Sequence, residues 1–184
     1  KNTRTRILET ALQLFNEQGL SQVTLRTIAQ ALGISQGNLN YHFKKREDII
    51  EALYLELVAK MDANLARTQS EMNHLKIVYE GTLTMMRCFY EYRFFMLDFV
   101  QIMREETSIR AHYIQLRAMR KMQFLGMFQL LIQAGLMREK ELEDEYENLY
   151  LRMAIMGDFW ISSAITTQDL SSDLIGVYGC LLYT

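Results

Sequence analysis

The chain has 184 residues, of which 49% are hydrophobic and 23% charged, at a formal net charge of −2, a balance that excludes an intrinsically disordered chain. It contains no proline, where average usage of about 5% would supply roughly nine, and that favours an almost all-helical chain over a sandwich or barrel. Its two cysteines, Cys88 and Cys180, lie far apart without metal-ligand spacing, which argues against a disulfide framework. No run of roughly eighteen apolar residues offers a membrane span, and the opening KNTRTRILET carries no signal-peptide pattern. The chain reads as cytoplasmic, with no membrane partner.

Charge is unevenly placed. Residues 1–46 hold seven Lys and Arg against Glu9 and Glu17, a net of +5, while the remaining 138 residues sum to −7. A basic head on an acidic body suits a polyanion partner, because each neutralised phosphate releases condensed counterions. A merely solvated face would carry the same charge, so the residue pattern decides.

Ile7, Leu8, Ala11, Leu12 and Phe15 recur at helical spacing up to Gly19, where a helix would stop. Thr24 is placed as an N-cap ahead of Leu25, Ile28, Ala29 and Leu32, and Gly33 as the left-handed residue that ends this short helix. Ser35 caps the next, with Leu39 and Phe43 inward and Ile34 buried in the turn. Two short helices joined in this way form a helix-turn-helix, whose second helix lies in the DNA major groove. Its other positions, Gln36, Gly37, Asn38, Asn40, Tyr41 and His42, are mostly polar. Gln and Asn amides pair bidentately with adenine, and Gly37 lets the backbone come close to DNA. Asparagine is a weak helix former, so two in so short a helix point to a task beyond solubility.

The stretch TLRTIAQALGISQGNLNYHFKKREDII resembles the N-terminal signature of the TetR family of bacterial transcriptional regulators, in register over roughly residues 5–50. Two positions depart from the pattern: Asn40 stands where the family usually has Tyr, and Arg46 where it usually has Lys. The resemblance implies an all-α fold, with a three-helix helix-turn-helix DNA-binding domain over residues 1–46 and a helical effector-binding and dimerisation domain over 47–184. It implies that Thr24 and the helix N-terminus behind it hold a phosphate and that Arg26 reaches guanine. Tyr41, His42, Lys44, Lys45 and Arg46 would grip the DNA backbone, leaving Gln36, Asn38 and Asn40 to read bases. Lys1, Arg4 and Arg6 would form a basic arm that touches an adjacent groove or stays solvated.

In the body, Glu47 and Asp48 open a helix striped by Ile49, Ile50, Leu53, Leu57, Val58 and Met61, the natural lever between body and head. Further helices are expected over about 71–92, as a short piece and a polar break within RFFMLDFVQIMREET, over 108–134 closed by Gly135, and over 142–166 and 169–183. Ten of twelve methionines follow residue 84, and six aromatics fall between Phe89 and Phe99. Such side chains line adaptable apolar sites. With the resemblance, they imply a small apolar or amphipathic effector among Phe89, Phe95, Phe99, Met103, Tyr113, Leu116, Met119 and Trp160. Asp98 and Asp158 would orient a polar group there, or pair with Arg87 or Arg93. The last two helices are apolar nearly all round. Leu149, Met153, Met156, Leu170, Leu174, Val177, Tyr178 and Leu181 are expected to meet their symmetry mates in a homodimer that reads a palindromic operator, with small residues such as Gly157 and Gly179 easing the approach.

Two other functions compete. Glu71 and His74 make one Glu-x-x-His, the spacing of carboxylate-bridged metal bundles, but no second copy exists, and neither catalysis, a metal nor a cofactor is expected. The same DNA-binding fold could also answer to a protein partner instead of a small molecule. A ligand-responsive regulator, acting as a repressor, is the expectation that joins head to body.

Overall fold

Helix α1 (Thr3–Gln18) begins where the Asn2 side chain accepts the Arg4 N–H at 3.2 Å, and it ends at Gly19, whose φ of 81° needs no Cβ in the way. In this computed structural model, which describes residues 2–68 and 73–181, a single 3₁₀ turn (Leu20–Gln22) leads to α2 (Leu25–Leu32) and α3 (Gln36–His42). Thr24 caps α2 reciprocally with Thr27: the Thr27 N–H reaches the Thr24 hydroxyl at 3.2 Å, and the Thr24 N–H reaches the Thr27 hydroxyl at 2.9 Å. Gly33 closes α2 in the left-handed region at φ 66°, and Ser35 caps α3 through the Asn38 N–H at 3.2 Å. The expected helix-turn-helix is therefore formed, residue by residue, by its caps.

Helix α4 (Arg46–Thr68) leaves the head, and α5 (His74–Glu91) packs against it. Asn73 caps α5 on the Lys76 N–H; Glu71, where this helix was expected to begin, lies outside the described residues. The segment expected to be one short helix and a break forms two, α6 (Arg93–Leu97) and α7 (Phe99–Glu105), bent at Asp98. The bend lets Phe94, Phe95 and Met96 on one side and Phe99 and Ile102 on the other all be buried. Helix α8 (Thr107–Gln133) runs to Gly135 at φ 69°, followed by α9 (Glu145–Ala164) and a shortened α10 (Leu174–Cys180). Residues 169–173, expected in the last helix, stay outside it, and 182–184 lie outside the described residues. No strand occurs among the described residues.

Head and body share one continuous core. It runs from Ile7, Phe15, Ile28 and Leu39 through Ile49 and Leu53 on α4 to Phe94, Ile102, Ile109 and Trp160. Each fully buried side chain of this size contributes about 1.5–3 kcal/mol. A separate small cluster of Phe128, Leu131 and Tyr146 closes the far end of α8 and α9. Gly157 and Gly179 serve packing within the chain: a Cβ on Gly157 would lie 3.4 Å from Phe89, and one on Gly179 2.9 Å from Leu83.

Candidate nucleic-acid interface and the seam behind it

Leu39 is fully buried, so the 3.6-residue repeat turns Gly37 and Tyr41 to the opposite side of α3 and Asn38 to its flank. Gln36, Gly37, Asn38, Lys44 and Lys45 are exposed, as are Thr24 and Arg26 at the start of α2. Tyr41 is 80% exposed, its ring edge-on to that of the partly buried His42 at 5.2 Å. Asn40 differs from this group. It is partly buried, and its amide oxygen lies inside without a hydrogen-bond partner. Bidentate pairing with adenine needs oxygen and nitrogen both outward, so this rotamer does not offer it.

Arg46 also departs from expectation. Its guanidinium turns back into the head, donating to Leu20 O at 3.0 Å and Val23 O at 3.5 Å, with Glu47 3.5 Å away. A side chain so engaged ties the start of α4 to the 3₁₀ turn instead of projecting toward a phosphate. Lys44 and Lys45 have their backbone N–H groups held by the Asp48 carboxylate at 3.1 Å, which fixes the loop that carries them. The expected basic arm is not an extended segment: Arg4 and Arg6 lie on α1, with the Arg4 guanidinium 5.0 Å above the Phe43 ring. Lys1 lies outside the described residues.

In the body, the expected effector residues other than Met119 belong to one core. Phe95, Phe99 and Tyr113 form one chain of rings, 6.0 Å and 5.1 Å apart, with Met103 and Leu116 packed on the same core. Phe89 and Trp160 are buried, Phe89 against Gly157 and Trp160 against Tyr178. Met119 is 40% exposed. Asp158 closes the ring chain with polar groups. It accepts from the Tyr113 hydroxyl at 2.8 Å and from Arg117 at 3.0 Å, so its partner is Arg117 and not Arg87 or Arg93. Burial pushes the Asp158 carboxyl above its ordinary value, against the pull of those two donors. The Trp160 indole N–H is buried without a partner. Asp98 is used elsewhere: it faces the backbone N–H of Leu20 in the head, and burial raises its carboxyl as well. An open groove of about 500 Å³ runs along the head–body seam, between Glu9, Leu12 and Asn16 on α1 and Tyr90, Glu91 and Arg93 beyond it.

A family model of bacterial transcriptional repressors matches residues 56–176, and one of bacterial regulatory proteins of the tetR family matches residues 7–53. The chain belongs to the TetR family. The HTH-type transcriptional regulator AcrR of Shigella flexneri is 39% identical over 54 residues, 29% of this chain and 25% of that protein. The chain thus spans about a quarter of that curated relative's length. A TetR-family transcriptional regulator from Marinobacter aquaeolei VT8 superposes with a TM-score of 0.84 at 26% identity, covering 91% of this chain and 82% of the other. FadR from Bacillus subtilis, in complex with stearoyl-CoA, shares the fold at a TM-score of 0.69 and 15% identity, covering 98% and 97%.

The face this TetR-family chain turns outward on α9 is not the expected one. Leu149, Met153 and Met156 are partly buried and pack on the protomer's own clusters, as do Leu170, Leu174 and Tyr178. The apolar residues left exposed on α9 are Leu151 (48%), Ile155 (51%) and Phe159 (38%), one stripe at four-residue spacing. Val177 on α10 and Leu181 just beyond it are exposed. The phase of α9 is set by Tyr146 and Tyr150, whose hydroxyls reach Arg138 O just beyond α8 and Arg117 O on it, contacts that no sequence pattern signals. For the Glu-x-x-His pattern, Glu71 lies outside the described residues. Among those residues, no three His, Cys, Asp or Glu side chains converge as a metal site would require.

Proposed function

We propose that this regulator is a homodimeric repressor that binds a palindromic operator through residues 1–46 and loses it when a small apolar or amphipathic effector binds within residues 47–184. The capped helix-turn-helix, with an exposed polar face on α3, is the observation that carries the DNA half. Gln36 and Asn38 are the base readers, Arg26 the guanine reader, and Tyr41, His42, Lys44 and Lys45 the backbone grip. The cap of α2 engages the Thr24 and Thr27 N–H groups, so a phosphate at that N-terminus would be held by those of Leu25 and Arg26. Arg46 is assigned to holding the head together instead.

The dimer half is supported by the exposed stripe of Leu151, Ile155 and Phe159, with Val177 and Leu181, which a second copy of the chain would cover. For the effector, the Phe95–Phe99–Tyr113 rings supply an apolar wall, and Asp158 with Arg117 supplies a polar end. FadR of Bacillus subtilis, a protein of the same fold, holds stearoyl-CoA, an amphipathic ligand of the kind this wall and polar end would suit. An effector that prefers the non-binding arrangement by a few kcal/mol suffices to release DNA.

Selection from a random duplex library with purified protein at near-physiological salt, where non-specific affinity is weak, tests the reading. A palindrome is expected, with half-sites about one helical turn apart or a multiple of that. Enrichment of unpaired single sites by a folded protein would defeat the dimeric operator reading.

A further inference from the structure

At one end of the head–body seam a side chain of α1 holds only backbone. Asn16 on α1 donates its amide N–H to Glu91 O at 2.7 Å and accepts the Phe94 N–H at 3.0 Å. Glu91 ends α5, and Phe94 lies in the first turn of α6. Helix ends leave such carbonyls and N–H groups without intrahelical partners, and the corner at Tyr92, with φ −103° and ψ 36°, presents one of each. A primary amide can serve both, because it carries donor and acceptor side by side.

The surrounding contacts make this a firm joint. Phe15 of α1 stacks on Phe94 with centroids 5.0 Å apart. Lys60 of α4 reaches the Glu91 carboxylate at 2.6 Å and lies 5.9 Å over the Tyr92 ring. At the far end of α6, Asp98 faces the Leu20 N–H. Helix α6 is thus tied to the head at both ends, while its Phe95 continues through Phe99 to Tyr113 and Asp158. Covalently the head hangs on α4 alone, and a head held by a single helix can swivel about it. A second anchor on α1 removes that freedom.

We propose that Asn16 is a positioning residue that sets the angle of the head on the body, and through it the half-site spacing that the dimer accepts. The proposal rests on the palindromic-dimer reading above. Inserting or deleting one central base pair moves a half-site by about 3.4 Å along the axis and by roughly a tenth of a turn around it. A clasped head cannot follow that shift, whereas an unclasped one can.

The test measures binding of the wild type, Asn16→Ala and Asn16→Asp to the selected palindrome and to versions with one central base pair added or removed. The wild type should lose about tenfold or more on the altered spacings, a cost in the range of a mismatched base pair. Asn16→Ala should bind all three spacings within about threefold of one another, with unchanged base preferences inside each half-site. Asn16→Asp keeps the acceptor and loses the donor. It should behave likewise, and it is the informative variant where alanine impairs folding. A folded variant that keeps wild-type spacing discrimination overturns the proposal, as does one that loses half-site base preference in step with affinity. A wild type that selects no palindrome overturns the dimer reading first, and this proposal with it.

Discussion

The guanidinium of Arg46 covers two carbonyls, that of Leu20 in the 3₁₀ turn and that of Val23 just ahead of the Thr24 cap. Its side chain is 28% exposed, so truncation strands those oxygens in a half-dry setting, at a cost of about 1–3 kcal/mol. Arg46→Met should therefore lower the thermal midpoint and leave the salt dependence of operator binding unchanged. Lys45→Met, at an exposed position, should do the reverse, reducing the slope of log K against log salt by about one unit with no change in the midpoint. Calorimetry and titrations at several salt concentrations separate the two. The residue pattern showed both as cations beside a recognition helix. Which one turns inward depends on Leu20 and Val23, more than twenty residues earlier, and local spacing holds no record of that contact. Asn40 teaches the same lesson: its place on α3 was readable, while the burial of its oxygen was set by the packing around it.

At the scale of elements, what the caps encode was legible. Thr24, Gly33 and Ser35 act locally, within three or four residues, and the bounds of α2 and the start of α3 follow from them. Helix α9 was legible as a helix but not in its phase, because an apolar pattern all round gives no preferred face. Tyr150 and Asp158 bind α8, Tyr146 binds the segment that follows it, and that orients Leu151, Ile155 and Phe159 away. Ile155→Arg should thus leave helicity intact, yield a monomer by size-exclusion light scattering, and abolish preference for the palindrome over a single half-site. Retention of the dimer would move the interface to another face. The break at Asp98 was not legible, because Asp98 stands within an apolar run; its effect, two buried turns docked under the head, comes from a partner in α1 and the 3₁₀ turn.

For the whole molecule, the division into basic head and acidic body was plain from charge, yet the core crosses that division without interruption. Stability of the whole should consequently respond to groups in the body alone. Burial raises the carboxyls of Asp98 and Asp158 above their ordinary values, so the native state binds these protons more tightly than the unfolded chain. The linkage then makes stability fall as pH rises through the window between the ordinary and the raised values, and recover as pH drops back through it. Mild acidification from neutrality should raise the thermal midpoint. The trend should reverse below the ordinary carboxylate range, where Glu145, held low by Arg138, takes up its proton. Asp158→Asn should flatten the rising part, and an unchanged pH profile in that variant would remove Asp158 from the account.

The seam also bears on how freely such regulators can be recombined. Asn16 grips a carbonyl and an N–H that any chain with the same α5–α6 corner would present, so this joint is portable between bodies of unrelated sequence. The Asp98 joint is a side chain contributed by the body, and Arg46 sits at the boundary itself. A chimera that transplants this head onto another sensor would keep the first joint without design, would have to supply the second, and would be cut most safely beyond residue 46.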